Sequence, residues 1–380
     1  MLPGYANRVL VLTVLAFVVM VPAFAGVLPE DRADVLYHSY DGGGVTIDGP
    51  SLLMRKKFAK SFSAFANYYV DQVSSASIDV ETTASAYTEE RTQLSGGLDY
   101  LRGKTTMSLS YTKSDENDYV ANSFSFGISQ DIFGDLTTVT LGYSLGSDEV
   151  GMRGDPDFKE DLDRQQYRLG ISQILTKNII LGLNFETITD EGYLNNPYRT
   201  VRYLEPGGGF NYEGEVYPRT RTSNAGSGRL QIYLPYRAAI HGTYRFYTDT
   251  WGIDGHTAEI GYTHPTKSGF IFDLQYRFYT QTQADFYSDL FPTIQFQNFL
   301  ARDKELSEFS SSSIRFGVSY EFFRNGWNFV DKGTVNLFLD RMSFEYDNFR
   351  DVRDTSFAAG DEPLYSFDAN VIQLFVSFWF

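Results

Sequence analysis

The chain has 380 residues, 32 basic against 48 acidic side chains, a formal net charge of -16 at pH 7, and no cysteine. The acidic balance argues against a nucleic-acid partner, whose binding surface would be basic. The lack of cysteine excludes disulfides, thiolate metal sites and a lipid-modified N-terminal cysteine. Aromatic residues form 16% of the sequence, which is typical of a soluble β-rich protein or of a membrane barrel.

The N-terminus carries the three parts of a secretory signal peptide. Arg8 supplies a positive charge, the run from Val9 to Val21 is almost wholly apolar, and Ala23-Phe24-Ala25 is a small-x-small cleavage pattern. The apolar run is shorter than the roughly 20 residues that a membrane-spanning helix needs. We therefore predict a signal peptide over residues 1–25, with an uncleaved anchor helix as the alternative.

The segment 26–50 precedes the first clear strand and is rich in glycine. Glycine suits irregular backbone packed inside a cavity, because it has no Cβ and adopts positive φ readily. We expect a periplasmic N-terminal segment that is either a plug inside the barrel or a flexible tail. The side chains expected in the plug are Tyr37, His38, Tyr40 and Asp41.

Residues 51–380 are dominated by alternation between apolar and polar side chains, the pattern of a half-buried β-strand. The clearest run places Phe270, Phe272, Leu274 and Tyr276 on one face, with mostly polar residues on the other. Such runs predict about fourteen strands. Their approximate spans are 56–70, 92–102, 104–114, 119–131, 137–147, 163–175, 178–189, 226–235, 238–249, 254–265, 268–282, 310–322, 333–346 and 369–380.

The predicted connections alternate between short turns and long polar loops. Short periplasmic turns, long extracellular loops and an even strand number are typical of outer-membrane barrels, whereas a soluble sandwich has no reason to separate loop lengths. We predict an all-β, antiparallel, up-and-down transmembrane barrel in the outer membrane of a Gram-negative bacterium, surrounded by lipid and lipopolysaccharide. The long loops are expected at 71–91, 147–162, 190–225, 283–309 and 347–368.

The last strand ends in Phe380 after an alternating apolar run. This ending is similar to the C-terminal signal that bacterial barrels present to the barrel assembly machinery. We therefore expect that machinery to be a partner of the chain during its insertion.

The faces opposite the apolar runs are expected to line the lumen. They are small on the third to fifth predicted strands and charged on later ones, and the registry through the 250–253 turn is expected to bring Arg245 near Glu259. The charges form either a satisfied polar wall or a selectivity ring. The predicted wall residues are Arg168, Glu186, Arg245, Glu259, Asp273, Arg277 and Arg315.

The longest loop is rich in aromatic residues, which either pack the loops together as a lid or bind sugars and apolar ligands. Acidic clusters in other loops are oxygen-rich enough for calcium or magnesium but match no EF-hand spacing, and the alternative is solvated acids beside lipopolysaccharide. The four histidines do not converge, so we predict no metal site, no cofactor and no enzymatic activity. The loop aromatics are Tyr193, Tyr198, Tyr203, Phe210 and Tyr212.

From Leu28 to Phe380 the sequence resembles a family of outer-membrane barrels known as domain of unknown function 3570. The resemblance implies a membrane barrel, no settled activity and no site residues. Genes of the family tend to lie beside small lipoproteins, thioredoxin-like proteins and flavin transferases, which implies possible periplasmic lipoprotein or thioredoxin-like partners. The strings that carry the resemblance are Glu30–Tyr40, Ser74–Asp79, Tyr87–Arg91, Ser114–Tyr119, Gly192–Arg199 and Ala301–Ser307.

Two functions of different classes follow from these patterns. A polar lumen in a large barrel favours a channel or substrate-selective porin for small solutes. A glycine-rich N-terminal segment and large aromatic loops favour a non-conducting scaffold that anchors an envelope complex, and the gene neighbours of the family point to a redox-linked one.

Overall fold

The alternating side chains wind the chain into a closed barrel. The computed structural model describes residues 27–75, 87–323 and 326–380, and in these ranges sixteen antiparallel strands form one sheet whose first and last strands pair. Barrel strands that follow one another along the chain lie side by side, apart from a separate hairpin within one loop. The predicted all-β up-and-down barrel is therefore confirmed. No helix in the described ranges is long and apolar enough to cross a bilayer.

Eighteen strands are numbered here in chain order, and all except β10 and β11 belong to the barrel. Their bounds are β1 Arg32–Gly42, β2 Val45–Phe58, β3 Phe62–Ser75, β4 Tyr87–Arg102, β5 Thr105–Asp115, β6 Tyr119–Ile132, β7 Thr137–Met152, β8 Asp155–Thr176, β9 Ile179–Gly192, β10 Thr200–Leu204, β11 Phe210–Gly214, β12 Thr220–Tyr233, β13 Ala239–Asp249, β14 Asp254–Pro265, β15 Phe270–Gln281, β16 Phe309–Phe322, β17 Lys332–Arg350 and β18 Leu364–Trp379.

The outer face of the barrel is apolar and the inner face is mostly polar. Leu274, Ile260 and Ile314 point outward and are 54%, 58% and 55% exposed. Apolar side chains this exposed are costly in water and favourable in lipid. Because successive residues of a strand face opposite sides, the polar residues between them necessarily line the lumen.

The segment predicted as a plug is part of the barrel wall. Strand β1 pairs with β18 from Arg32↔Trp379 to Gly42↔Ala369, and with β2 on its other side. Gly43 and Gly44 have φ values of 60° and 77°, so these glycines make the tight turn of the β1–β2 hairpin, not irregular backbone inside a cavity. The plug and tail predictions for 26–50 are therefore wrong, and the barrel begins at Arg32, not at residue 51.

The prediction of about fourteen strands was too low because β1 was missed and the part of β2 before residue 56 was not recognised. Strand β2 contains Gly49 and Pro50, which sequence rules place in turns or at strand edges. The predicted strand 56–70 joined the end of β2 to β3 across a tight turn in which Ala59 has a φ of 55°.

The connections are long at one end of the barrel and short at the other. The loop end carries the 193–219, 282–308 and 351–363 connections, whereas the end at which β1 begins and β18 ends carries mostly tight turns. The predicted long loop at 147–162 is wrong, because β7 and β8 continue through it as a projecting hairpin that turns at Arg153 and Gly154. The predicted signal peptide, 1–25, lies outside the described residues.

A substitution at Gly49 tests how closely β2 and β3 approach each other. A Cβ at this position would lie 1.9 Å from the backbone oxygen of Val70. Because a backbone atom inside a ladder cannot move away, we expect Gly49→Ala to destabilise the barrel by about 1–3 kcal/mol. Urea unfolding of the barrel refolded in detergent micelles measures this change.

Gly226→Ala is the matched control, because a Cβ at Gly226 would meet nothing within 4 Å. We expect its effect to stay within about 0.5 kcal/mol. Equal unfolding midpoints for the two variants would contradict the close approach of β2 and β3.

Candidate functional site

On β5 to β7, which we call the small half of the wall, the inward side chains are mainly small and uncharged. Hydroxyl groups join neighbouring strands there, with Thr112 Oγ1 donating to Ser95 Oγ at 2.9 Å and the Ser129 and Thr140 hydroxyls 3.2 Å apart. Thr140 points inward and is nevertheless exposed, so solvent reaches the lumen at its level. The inward residues of β5, β6 and β7 include Ser108, Ser110, Ser123, Ser125, Gly127, Gly142 and Ser144.

The other half of the wall, from β8 to β17, carries charge. Arg245 on β13 reaches Glu186 on β9 at 3.6 Å across β12, and Arg229 on β12 reaches Glu259 on β14 at the same distance across β13. Side chains on strands two apart converge on the concave face of a barrel. These pairs, and the strand registers, place all seven predicted wall residues inside: Arg168, Glu186, Arg245, Glu259, Asp273, Arg277 and Arg315.

The expected neighbour of Arg245 was wrong. The β13–β14 register places Thr257 opposite Arg245 and Thr243 opposite Glu259, so the two charged residues are only diagonal neighbours. Glu259 is instead 3.2 Å from Nε2 of His241. Counting residues through the turn predicts which residues of β13 and β14 face each other. It cannot show that the Arg245 side chain reaches Glu186 on β9, which lies outside this hairpin.

The other predicted wall residues differ in how firmly they are held. Arg315 donates to both oxygens of Asp340 at 2.7 and 3.1 Å. Asp273 accepts from Thr263 at 2.6 Å, and Arg168 donates to the Ser144 hydroxyl at 3.4 Å. Arg277 lies over the Tyr279 ring at 5.6 Å from its centroid and opposite Glu259 in the β14–β15 register.

The residues predicted for the plug divide between the two faces of β1. Tyr37 and Asp41 face outward, and the Tyr37 hydroxyl donates to Asp48 at 2.8 Å. His38 and Tyr40 face the lumen. His38 Nε2 is 2.7 Å from Asp71 Oδ1 and 3.1 Å from the Tyr69 hydroxyl, so it ties β1 to β3 over the side-chain-free position of Gly49 on β2.

A lid of three loops covers part of the lumen at the loop end. The 193–219, 282–308 and 351–363 loops pack on one another and on the upper inner wall. Trp251, Phe286 and Tyr217 form a mutually packed aromatic group, with ring centroids 5.2 to 5.6 Å apart. In the described part of the chain, the clusters of buried apolar residues lie in and under this lid, where loop residues pack against Tyr346 and Phe349 of β17 and Tyr365 of β18.

A buried ion cluster joins the three loops of the lid. Arg202 on β10 is fully buried, donates to Glu362 at 2.5 and 3.1 Å, and also pairs with Asp289. Arg302 donates to the same Asp289 at 2.9 Å. Burial favours the neutral acid, yet the hydrogen bonds from Arg202 hold the pKa of Glu362 below its ordinary value.

The predicted loop aromatics lie in the lid and at its edges. Tyr203 packs with Phe291 in the smaller apolar cluster, and the Tyr198 hydroxyl donates to Asp118 and accepts from the backbone N–H of Arg153. Tyr193 packs edge-on against Phe158 of the projecting hairpin at 5.4 Å. Phe210 and Tyr212 pack edge to face at 5.6 Å on the outside of the lid, where both are more than a third exposed.

Glu215 lies in the middle of the lid and is almost fully buried. Its carboxylate accepts from the Arg302 backbone N–H at 2.6 Å and from the Tyr217 hydroxyl at 2.5 Å. Burial and the nearby charge of Asp303 raise the pKa of Glu215 to about 7, against the opposing effects of Tyr217 and Arg199. The lid therefore contains a carboxyl group that titrates near neutral pH.

A polar cavity of about 390 Å³ lies between the lid and the inner wall, lined in part by Arg164, Asp190, Arg221, Arg245 and Trp251. Within the described ranges, no group of three or more histidine, aspartate or glutamate side chains is arranged to hold a metal ion.

The sequence did not single out several residues that form this region. Arg221 was assigned to a loop because the predicted strand began at 226, six residues after the true start of β12 at Thr220. Arg164 shares the inward parity of Arg168 and could have been found. Arg202, Asp289 and Glu362 come from three separate loops, and no local pattern indicates that they meet.

Removing the buried cation tests the lid cluster. We expect Arg202→Ala to destabilise the closed lid by about 3–5 kcal/mol, because Asp289 and Glu362 are left buried without their partner. Hydrogen–deuterium exchange should speed up in the 282–308 and 351–363 loops and stay unchanged in the barrel strands.

Arg341→Ala is the control, since its pair with Asp368 is on the outer face and about half exposed. Exposed pairs contribute about 0–1 kcal/mol. If Arg202→Ala leaves loop exchange as slow as Arg341→Ala does, the cluster does not hold the lid.

The Glu215 carboxyl group makes the lid sensitive to pH. Its pKa is about 7 in the closed lid, against an ordinary value of 4.5 when the lid opens and exposes it. The closed lid binds this proton more tightly, so the stability that it supplies is full below pH 4.5 and is lost as the pH rises to about 7. We expect amide exchange in the 193–219 loop, corrected for intrinsic rates, to quicken over that range.

Glu215→Gln should remove this pH dependence, because glutamine keeps the shape of the protonated acid at every pH. Glu205→Gln, at an exposed position of the same loop, should leave it intact. An unchanged pH profile in Glu215→Gln would assign the effect to another group.

The comparisons with known proteins agree with the barrel. A solved structure described as a bacterial polysaccharide outer membrane secretin superposes with a TM-score of 0.51 and 8% identity, covering 93% of this chain and 100% of that one. At this identity the likeness shows the fold alone. The siderophore receptor PirA from Pseudomonas aeruginosa matches at 0.44 and 9% identity, over 84% of this chain and 56% of its own. OmpT of Vibrio cholerae, in its trimer form, matches at 0.44 and 8% identity, over 92% and 98%.

No curated protein matches the sequence. The model of one family, described as protein of unknown function (DUF3570), matches residues 81–332. That range is more than half of the chain and includes most of the barrel, the 193–219 and 282–308 loops and the charged wall. The resemblance stated from the sequence is thereby confirmed, and the chain belongs to the DUF3570 family.

Proposed function

We propose that the protein is an outer-membrane channel of a Gram-negative bacterium that passes small polar solutes through its lumen. The observation that carries the proposal is the two-sided inner wall, with small hydroxyl and glycine residues on β5 to β7 facing charged residues on β8 to β17. Side chains that only had to fill a core would be apolar and close-packed. Here they are polar, and Thr140 and Asn184 are exposed although they point inward.

The size of the barrel supports an open path. Eight strands enclose a space that side chains can fill, whereas barrels of 16 to 18 strands leave an aqueous channel. The lid narrows the loop end, but its apolar clusters pack mainly on the β13, β17 and β18 side, as Trp251, Tyr346 and Tyr365 illustrate. The small half of the wall contacts the lid mainly through Tyr198.

The proposed outer-membrane location is supported by the apolar outer face of the barrel. A closed sheet satisfies every backbone hydrogen bond within itself, which is the requirement for a strand-built protein in lipid. The outward residues form a continuous apolar band, and the loop lengths separate by end as in bacterial outer-membrane barrels. In this orientation the start of β1 and the end of β18 are periplasmic, the lid is extracellular, and Phe380 is the proposed signal for the barrel assembly machinery.

The scaffold alternative has less support. One of its two motivations was the segment Tyr37–Pro50, which is barrel wall. The other was the aromatic loops, whose rings largely pack against one another inside the lid. Periplasmic lipoprotein or thioredoxin-like partners stay a prediction from the family resemblance, and the proposal includes no catalytic step.

Cysteine modification tests the channel directly, because the chain contains no natural cysteine to react in the background. Ser125 faces the lumen on the small half of the wall, and its neighbour Phe126 faces outward and is 44% exposed. We expect the single-channel current of reconstituted Ser125→Cys to fall when a water-soluble methanethiosulfonate reagent is added, since the added group occupies the path.

Phe126→Cys should conduct like the wild type and show no block, because lipid shields it from the reagent. Absence of current in the wild type would turn the interpretation toward the scaffold. Steady current without block in Ser125→Cys would exclude a path along the small half of the wall.

A further inference from the structure

We infer that the cavity beneath the lid binds small organic acids through their carboxylate groups, so that they are the class of solute selected for passage. The claim that these acids pass through the protein rests on the proposed channel function, whereas the claim that they bind in the cavity does not. It starts from a cavity of about 390 Å³ closed above by Tyr217 and Leu306 of the lid and below by the inner faces of β8, β9, β12, β13 and β15. That volume lies in the range of ordinary small-molecule sites.

Three arginine and three carboxylate side chains line the cavity. Two of the arginines are already neutralised, because Arg164 pairs with Asp190 at 2.9 Å and Arg221 pairs with Asp249 at 2.5 Å. Arg245 is different. Its ion pair with Glu186 is longer, at 3.6 Å and without a hydrogen bond, and the Arg245 side chain is 39% exposed.

Arg277 lies beside the cavity and adds a second available cation. None of the described carboxylates is within ion-pair distance of it, and the Glu259 opposite it is shared by His241 and Arg229. Both Arg245 and Arg277 influence the Tyr279 hydroxyl electrostatically, so the two guanidinium groups lie close to the same lining side chain. They form a pair of neighbouring cations on the inner wall.

Aromatic rings hold these cations in place. Arg245 lies over Tyr247 at 5.7 Å, Arg277 lies over Tyr279 at 5.6 Å, and Arg221 lies over Trp251 at 4.3 Å. A ring interacts with a guanidinium through its face and leaves N–H groups at the edge free. A planar fork that is oriented in advance suits a carboxylate, which accepts two parallel hydrogen bonds.

The rest of the lining indicates an organic ligand. Leu194, Ile253 and Leu306 supply apolar contacts for a carbon skeleton, and Gln281 contributes an amide that already donates to Glu305 O at 3.0 Å. Of the two lid carboxylates in the lining, Asp303 is neutralised by its pair with Arg199.

Calorimetric titration of the full-length barrel in detergent micelles tests the site, with succinate as the probe and glycerol and choline as the neutral and cationic comparisons. We expect succinate to bind, and glycerol and choline to bind at least tenfold more weakly. The double variant Arg245→Gln/Arg277→Gln should weaken succinate binding tenfold or more. Arg341→Gln, on the outer face, should bind as the wild type does, and slower migration after boiling in gel electrophoresis shows that each variant is folded.

Succinate binding that survives in the double variant would overturn the inference, as would equal binding of glycerol. Inorganic phosphate that binds more tightly than succinate would overturn the assignment to organic acids. The same preparations are then measured in bilayers under a salt gradient, where the double variant should lose anion preference. Binding without any current would preserve the site and refute the channel, whereas current without binding would do the reverse.

Discussion

The hydrogen-bonded seam between β1 and β18 is the contact on which the rest of the structure depends. An open sheet of this length would expose two edges of unpaired N–H and C=O groups, which lipid cannot satisfy. Closure requires β1 to continue from Gly42 through a two-glycine turn into β2, and requires His38 and Asp71 to meet over Gly49. Closure also sets the strand number, and the strand number sets the width of the lumen in which every proposed function takes place.

Closure in lipid reverses the usual arrangement of side chains. The apolar residues face outward, so the inner wall is free to carry polar groups, provided that they are hydrogen-bonded or paired. The small half of the wall meets this condition with hydroxyl contacts. The charged half meets it with ion pairs such as Arg315–Asp340, while Arg245 and Arg277 lie over aromatic rings.

The lid differs from the barrel because its interior is apolar and contains a buried cluster of charged side chains. Burying Arg202 costs desolvation energy that its two carboxylate partners offset only while all three loops are in place. Such a cluster contributes more to a single closed arrangement than to overall stability. The lid also contains a titrating group, Glu215, so the stability of the loop-end entrance depends on pH.

Alternation with a period of two is a local property, and the sequence alone was enough for the strands, the inward parity of the seven wall residues and the all-β barrel. Prediction from the sequence failed where the local pattern fits more than one structure. Gly49 and Pro50 concealed β2, and acidic residues concealed the long β7–β8 hairpin. Pairing across the lumen was decided only by the tertiary structure, because strand tilt and barrel curvature determine that Arg245 meets Glu186 and not Glu259. The Arg202 cluster and the cavity below it join loops distant in sequence, so only the folded chain brings them together.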